Sequence, residues 1–269
     1  CFWMRVYEIP EGSKNSKGRA IQNLINIEQD DKVKAFICTQ DLKDEDYINN
    51  HYVIMTTKMG QVKKTSLEQY SRPRSNGINA ITVKDGDELL EAKLTNGNSQ
   101  IMLAVKSGKA IRFEESKTRP MGRNASGVRG IRLKDNKDEV VGMISVNDMD
   151  ANILVVSENG YGKRSSLEDY RLTNRGGKGV KTISITSKTG QLVSLKSVTD
   201  SDDLMIINKS GIAIRMQVAD LRVMGRATQG VKVISIKDGD GIAAVAKVMN
   251  DEDEIEDIND IEFTGDTIK

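Results

Sequence analysis

The chain has little of what a single-core enzyme is usually built from. Aromatic residues make up 4% of its 269 positions and Trp3 is the only tryptophan, so no large aromatic core can form. One histidine, His51, stands alone in a polar stretch, and the two cysteines, Cys1 and Cys38, have no partner motif. That inventory offers neither a metal site nor a disulfide framework, and it suits a reducing cytoplasmic setting. Cys38 ends the apolar run that starts at Val33 and is expected in a core. No acid/base or nucleophile constellation appears, which argues against an independent enzyme and gives no catalytic residue. No segment approaches the roughly 20 consecutive apolar residues that span a bilayer. Cys1 to Tyr7 alternate like a strand and lack the basic start, apolar run and cleavage site of a signal peptide. The first residue is not Met, so the chain is expected to be a piece of a longer one.

Charge is abundant but unevenly placed. The formal net charge is +1, yet residues 250–269 hold nine acids and only Lys269 as a base. A basic body, residues 1–249, therefore precedes an acidic tail, residues 250–269, that is expected to be disordered. The tail reads either as a solubilising end or as a competitor of a polyanion for the basic body.

The body is repetitive. Five short cationic loops each end on a glycine: Ser13 to Gly18, Arg72 to Gly77, Gly122 to Gly127, Asn174 to Gly179 and Gly225 to Gly230. The final glycines are 59, 50, 52 and 51 residues apart. A period near fifty marks one supersecondary unit copied and stacked. Each copy opens with an apolar run (52–55, 101–105, 153–156, 204–207) followed by a glycine turn at Gly60, Gly108, Gly160 or Gly211. Such turns join hairpins. The second strand carries Lys63 and Lys64, Arg112, Lys163 and Arg164, or Arg215, which simple alternation places on the solvent face. A polar segment able to form one helical turn follows (66–70, 114–116, 166–170, 218–221), and then the cationic loop. A third strand (78–83, 128–133, 180–185, 231–236) and a fourth (88–94, 139–146, 192–198, 242–248) complete the unit. The expected fold is all-β and propeller-like, with four-stranded blades of about fifty residues. The first repeat is incomplete, and the longer first step reflects an insert, Asp41 to His51, expected as a surface loop.

A positive loop at the same point of every copy suits a polyanion. The residues expected to touch it are Lys14, Lys17, Arg19, Arg72, Arg74, Arg119, Arg123, Arg129, Arg171, Arg175, Lys178, Lys181, Arg222, Arg226 and Lys232, together with the strand cations Lys63, Lys64, Lys163 and Arg164. Two other motifs carry no chemistry. Gly179 and Val180 follow Lys178 where a phosphate-binding P-loop needs Ser or Thr. Tyr70 and Tyr170 recur at equivalent places and read as packing residues, and the methionines fall at core positions of strands.

The runs Gly60 to Thr65, Met121 to Leu133 and Asn159 to Arg164, in order and in phase with the repeat, resemble the C-terminal domain of the A subunit of bacterial DNA gyrase. The resemblance covers Cys1 to Val248. It implies a β-pinwheel, a propeller whose neighbouring blades exchange strands. It also implies that duplex DNA is wrapped without sequence preference, so that the whole enzyme introduces negative supercoils at the expense of ATP. The implied partners are duplex DNA, the rest of the gyrase A polypeptide and the gyrase B polypeptide in an A2B2 assembly, with no membrane. The catalytic tyrosine, ATP and Mg2+ belong to other parts of that enzyme, so no cofactor is expected here. The family's Q-R-R-G-G-K-G box is absent, and its nearest match is Thr173 to Gly179. Alternatives are the related domain of topoisomerase IV and a protein-binding propeller. The latter would be marked by repeated Trp-Asp pairs, which this sequence lacks.

Overall fold

The computed structural model describes residues 1–13, 16–28, 30–237 and 239–248. The chain is almost entirely β. In chain order the strands are β1 (Tyr52–Thr57), β2 (Gln61–Ser66), β3 (Leu89–Thr95), β4 (Gln100–Val105), β5 (Lys109–Glu114), β6 (Val128–Arg129), β7 (Val140–Val146), β8 (Asn152–Ser157), β9 (Tyr161–Ser166), β10 (Val180–Lys181), β11 (Leu192–Val198), β12 (Asp203–Asn208), β13 (Ala213–Gln217), β14 (Val231–Lys232) and β15 (Ile242–Val248). They form four antiparallel sheets in the orders β3-β1-β2-β6, β10-β5-β4-β7, β11-β8-β9-β14 and β13-β12-β15. No helix among the described residues is long and apolar enough to cross a membrane.

In three of these sheets the outer strand of a hairpin pairs with two residues from the following repeat. Val62 faces Val128 and Gln61 faces Arg129. Ala110 faces Val180 and Lys109 faces Lys181. Gly162 faces Val231 and Tyr161 faces Lys232. In these three repeats the expected third strand is therefore only two residues long and belongs to the neighbouring sheet, while residues 78–83, expected as the same strand one repeat earlier, form no strand. Main-chain bonds explain why it stops. The amides of Gly130, Thr182 and Val233 turn to the carbonyls of Gly60, Gly108 and Gly160 at 2.8, 2.9 and 2.9 Å. That draws the chain across the turn of the preceding hairpin instead of along its edge. Approach is close enough to require glycine before the pair: a Cβ on Gly127 (φ +89°) or Gly230 (φ +80°) would lie 2.6 or 2.5 Å from a carbonyl oxygen.

By its contacts the chain divides into two units: Cys1–Leu103 with Ile111–Asn147 and Leu172–Gly179, and Ala104–Ala110 with Asp148–Arg171 and Val180–Lys269. The first contains a cluster of Ile48, Val53, Met55, Leu67, Tyr70 and Ala92, against which Trp3, Ile37, Ile78 and Ile81 pack. The second contains Leu154, Val156, Val198, Leu204, Ile206, Val218, Leu221, Ile242 and Val245. Short 3-10 turns at Leu67–Tyr70, Glu115–Lys117, Leu167–Asp169 and Val218–Asp220 fall where the polar segments were placed. Tyr70 and Tyr170 are buried, as expected of packing residues.

Further expectations are corrected. Cys1 to Tyr7 form no strand, and the chain makes a 3-10 turn at Val6–Glu8 instead. The insert 41–51 holds a short helix, α1 (Glu45–Asn50), capped by Asp44, whose carboxylate accepts the amides of Asp46 and Tyr47, and anchored by buried Ile48. Cys38 is exposed, because the run around it forms no strand that could carry it inward. Among the methionines, Met55, Met102 and Met143 are core, but Met59 and Met149 are about half exposed. The acidic tail and Lys14 lie outside the described residues.

Candidate nucleic-acid interface

Of the strand cations, only Arg215 is on the solvent face, on β13, where exposed residues alternate with partly buried ones; the others are not. β2, β5 and β9 are covered on both faces, with four consecutive residues buried in each, so alternation does not apply to them. Lys63 and Lys163 are each 0% exposed, and Lys64, Arg112 and Arg164 are also buried. Each has a specific partner. Lys64 pairs with Glu115 at 2.8 Å while lying over the ring of Tyr52. Arg112 Nε donates to Gln100 Oε1 at 2.7 Å. Arg164 donates to the Leu221 carbonyl and pairs with Asp200. Lys63 donates to the carbonyls of Ala80 and Arg123. Lys163 donates to the Gly225 carbonyl at 2.7 Å and to Thr228 Oγ1 at 3.2 Å. Lys63, Lys64, Lys163 and Arg164 are therefore interior residues that hold one repeat to the next.

The backbone of the second strand receives the start of the following loop at the same point in each case. The amides of Met121, Thr173 and Met224 donate to the carbonyls of Lys64, Arg112 and Arg164 at 2.8, 2.9 and 2.8 Å. These bonds leave the neighbouring Arg119, Arg171 and Arg222 exposed, one per repeat. Lys17, Arg19, Arg72, Arg74, Arg129, Lys178, Lys181 and Lys232 are exposed as well.

Arg123, Arg175 and Arg226, at matching loop positions, are half-buried. Arg175 donates through Nε to the Lys117 carbonyl at 2.9 Å and through Nη1 to the Arg129 carbonyl at 3.0 Å. Arg226 repeats the second bond, to the Lys181 carbonyl at 2.9 Å. Its amide also meets Asp169 Oδ2 at 3.3 Å, just as the Arg123 amide meets Gln69 Oε1 at 3.3 Å. In the first unit Arg72, Arg74 and Arg123 line one surface depression with Glu68, Gln69 and Ile78.

Two consequences follow. Guanidinium groups are drawn to the main chain of residues that are themselves basic, Arg129 and Lys181, so like charges are gathered within each unit. Because a guanidinium has five donors, Arg175 and Arg226 retain hydrogens for an oxyanion after bracing their loops. Sequence periodicity missed Lys117 and Arg132. Both are exposed, and both support the 174–179 loop with main-chain atoms: Lys117 by its carbonyl, Arg132 by its amide, which donates to the Gly177 carbonyl at 2.8 Å. Neither recurs at matching positions, so no repeat signal marked it.

Strand-exchanging sheets with a basic loop on each repeat define the class: a propeller-type repeat protein with a periodic cationic surface. A family model described as "DNA gyrase C-terminal domain, beta-propeller" matches residues 1–40, 51–96, 100–147, 151–199 and 202–249, and the chain belongs to that family. It is 44% identical over 253 residues to the A subunit of DNA gyrase from Staphylococcus aureus (strain MRSA252), covering 93% of this chain and 28% of that protein. It is 43% identical over 252 residues to the same protein of Staphylococcus epidermidis (strain ATCC 12228 / FDA PCI 1200), with the same coverage. The chain thus spans 28% of the length of these relatives. Among solved structures, the C-terminal domain of DNA topoisomerase IV superposes with a TM-score of 0.84 at 24% identity, over 96% of this chain and 79% of the other. A DNA gyrase A C-terminal domain superposes with a TM-score of 0.75 at 25% identity, over 87% and 76%.

Proposed function

We propose that this chain binds and bends duplex DNA through its loop cations, without reading sequence, as the wrapping domain of a gyrase A polypeptide. The observation that carries this reading is the pairing of loop arginines with the main chain of other basic residues, Arg175 with Arg129 and Arg226 with Lys181. Gathered positive charge of this kind is relieved by phosphate. Duplex DNA carries about one charge per 1.7 Å of axis, so phosphate neutralisation releases counterions and drives affinity of any sequence. Smooth bending of a 20–30 base-pair site by 40–90° costs on the order of 1–6 kcal/mol, which several spaced phosphate contacts offset. Contacts of this type position DNA and do not specify bases.

Membership of the gyrase A family supports the same reading, with partners in the remainder of the gyrase A polypeptide and in gyrase B. Strand cleavage and ATP hydrolysis would then lie in those parts. Titration of unrelated duplexes across a salt series tests the reading. Equal affinities with a steep negative salt slope are expected. A shallow slope, or strong preference for one sequence, overturns it.

A further inference from the structure

Lys63 and Lys163 stand at the same place in their repeats, and the remaining two repeats have Ile111 and Ile214 there. Another position follows the same alternation: Tyr70 and Tyr170 accompany the lysines, whereas Thr118 and Leu221 accompany the isoleucines. The array therefore has two classes of repeat, one with a buried amine beside a buried phenol and one with neither.

In the first class the amine reaches into the loop that follows. The Lys63 ammonium holds the Arg123 carbonyl of the 122–127 loop and, at 2.6 Å, the Ala80 carbonyl, which also accepts the Tyr70 hydroxyl at 3.3 Å. Ala80 lies just beyond the 72–77 loop, so one amine ties together the two loops that carry Arg72, Arg74 and Arg123. Lys163 holds the 225–230 loop through Gly225 and Thr228, while Tyr170 bonds Thr182 Oγ1 at 2.6 Å. At Ile111, in the second class, an aliphatic contact stands in for the amine: a Cβ on Gly177 would lie 3.4 Å from Ile111 Cδ1.

We propose that Lys63 and Lys163 are positioning residues for phosphate binding, each setting the loop above it and adding a titratable positive charge beneath the bound DNA backbone. The inference rests on the DNA-binding reading above. The charged and titratable groups facing Lys63 are Arg123 and, through the shared Ala80 carbonyl, Tyr70; those facing Lys163 are Asp169 and Arg226, which also act on Tyr170. Burial, with the nearby arginines adding to it, lowers both amines to about 8, although Asp169 opposes this at Lys163. A phosphate placed over the loop favours the protonated amine, so DNA binding takes up protons near that pH.

The test compares the full chain with a variant that converts both sites to the pairs found in the sister repeats, K63I/Y70T with K163I/Y170L. Because the chain already folds around Ile111 with Thr118 and Ile214 with Leu221, these pairs are native alternatives. The variant with K63M and K163M alone provides a second background. A 40-base-pair duplex is titrated calorimetrically from pH 7 to 9.5 in buffers of different ionisation enthalpy. The unaltered chain should lose roughly three- to tenfold in affinity per lysine across this range, the effect of a shift of about half to one pKa unit, and should take up protons at pH 8 to 8.5. Both variants should show a flatter profile and less uptake. Identical profiles and uptake in all three proteins, with DNA still bound, overturn the positioning role alone. Absence of DNA binding by the unaltered chain overturns the underlying reading as well.

Discussion

Arg175 Nη1 lies 3.0 Å from the main-chain oxygen of Arg129, so two basic residues from neighbouring repeats are brought together by a bond that neutralises neither. Arg175→Lys keeps the charge but loses the planar fork. It should weaken DNA binding while leaving the salt slope unchanged. Arg175→Ala should do both: reduce affinity and lower the slope by about 0.9 for the lost phosphate contact. Equilibrium titration at four salt concentrations separates the two outcomes.

Arg119, Arg171 and Arg222 follow the buried turn of successive repeats and are exposed. Replacing all three with Ala should leave thermal stability nearly unchanged, within about 0.5 kcal/mol per site. Affinity should fall equally for every DNA sequence, with the salt slope reduced by about 0.9 per lost contact. Titration of two unrelated duplexes, with thermal denaturation as the control, checks this.

Gly127 and Gly230 hold the entry to β6 and β14 against the preceding strand. Alanine at either position meets a carbonyl and an unfavourable φ together, so each substitution should cost at least about 1–3 kcal/mol. Urea denaturation measures it. Gly225→Ala is the comparison, since a Cβ there meets nothing within 4 Å and its φ is not positive.

Stability should depend on pH through Lys63 and Lys163. Their folded pKa values, about 8, lie below the ordinary lysine value of 10.5. Below pH 8 both folded and unfolded chains carry these protons, and the folded chain bears the cost of burying charge. Between 8 and 10.5 the unfolded chain binds more protons, so this contribution to stability rises with pH. It is lost again as pH falls through 8. Urea midpoints from pH 7 to 10 should therefore rise more, or fall less, in the unaltered chain than in the K63M/K163M variant.

Much of this architecture was legible in the residues because the repeat supplies several independent readings of one unit. β11 and β15 run over the residues their apolar patterns indicated, Leu192–Val198 and Ile242–Val248. The glycine-terminated loops 122–127, 174–179 and 225–230 fall between the 3-10 turns and short strands where periodicity places them. The third strand was less legible. Residues such as Val128 to Leu133 have strand-like composition, but their amides are taken by the carbonyl of a hairpin turn after two ladder positions. Composition does not reveal which partner a main chain will find. The burial of Lys63 was hidden for a related reason: alternation assumes one wet face, and β2 has none. A signal was present in the matched Lys63/Tyr70 and Lys163/Tyr170 pairs, 100 residues apart. It becomes readable once both lysines are seen to be buried.

If the loop cations bend DNA into a wrapped path, the path must alter the topology of a closed circle. Nicked circular DNA is sealed with ligase in the presence of increasing amounts of this chain, and linking number is counted after deproteinisation. The expected result is a change of constant sign that grows with bound protein and disappears at high salt. An unchanged topoisomer distribution at saturating protein would contradict wrapping.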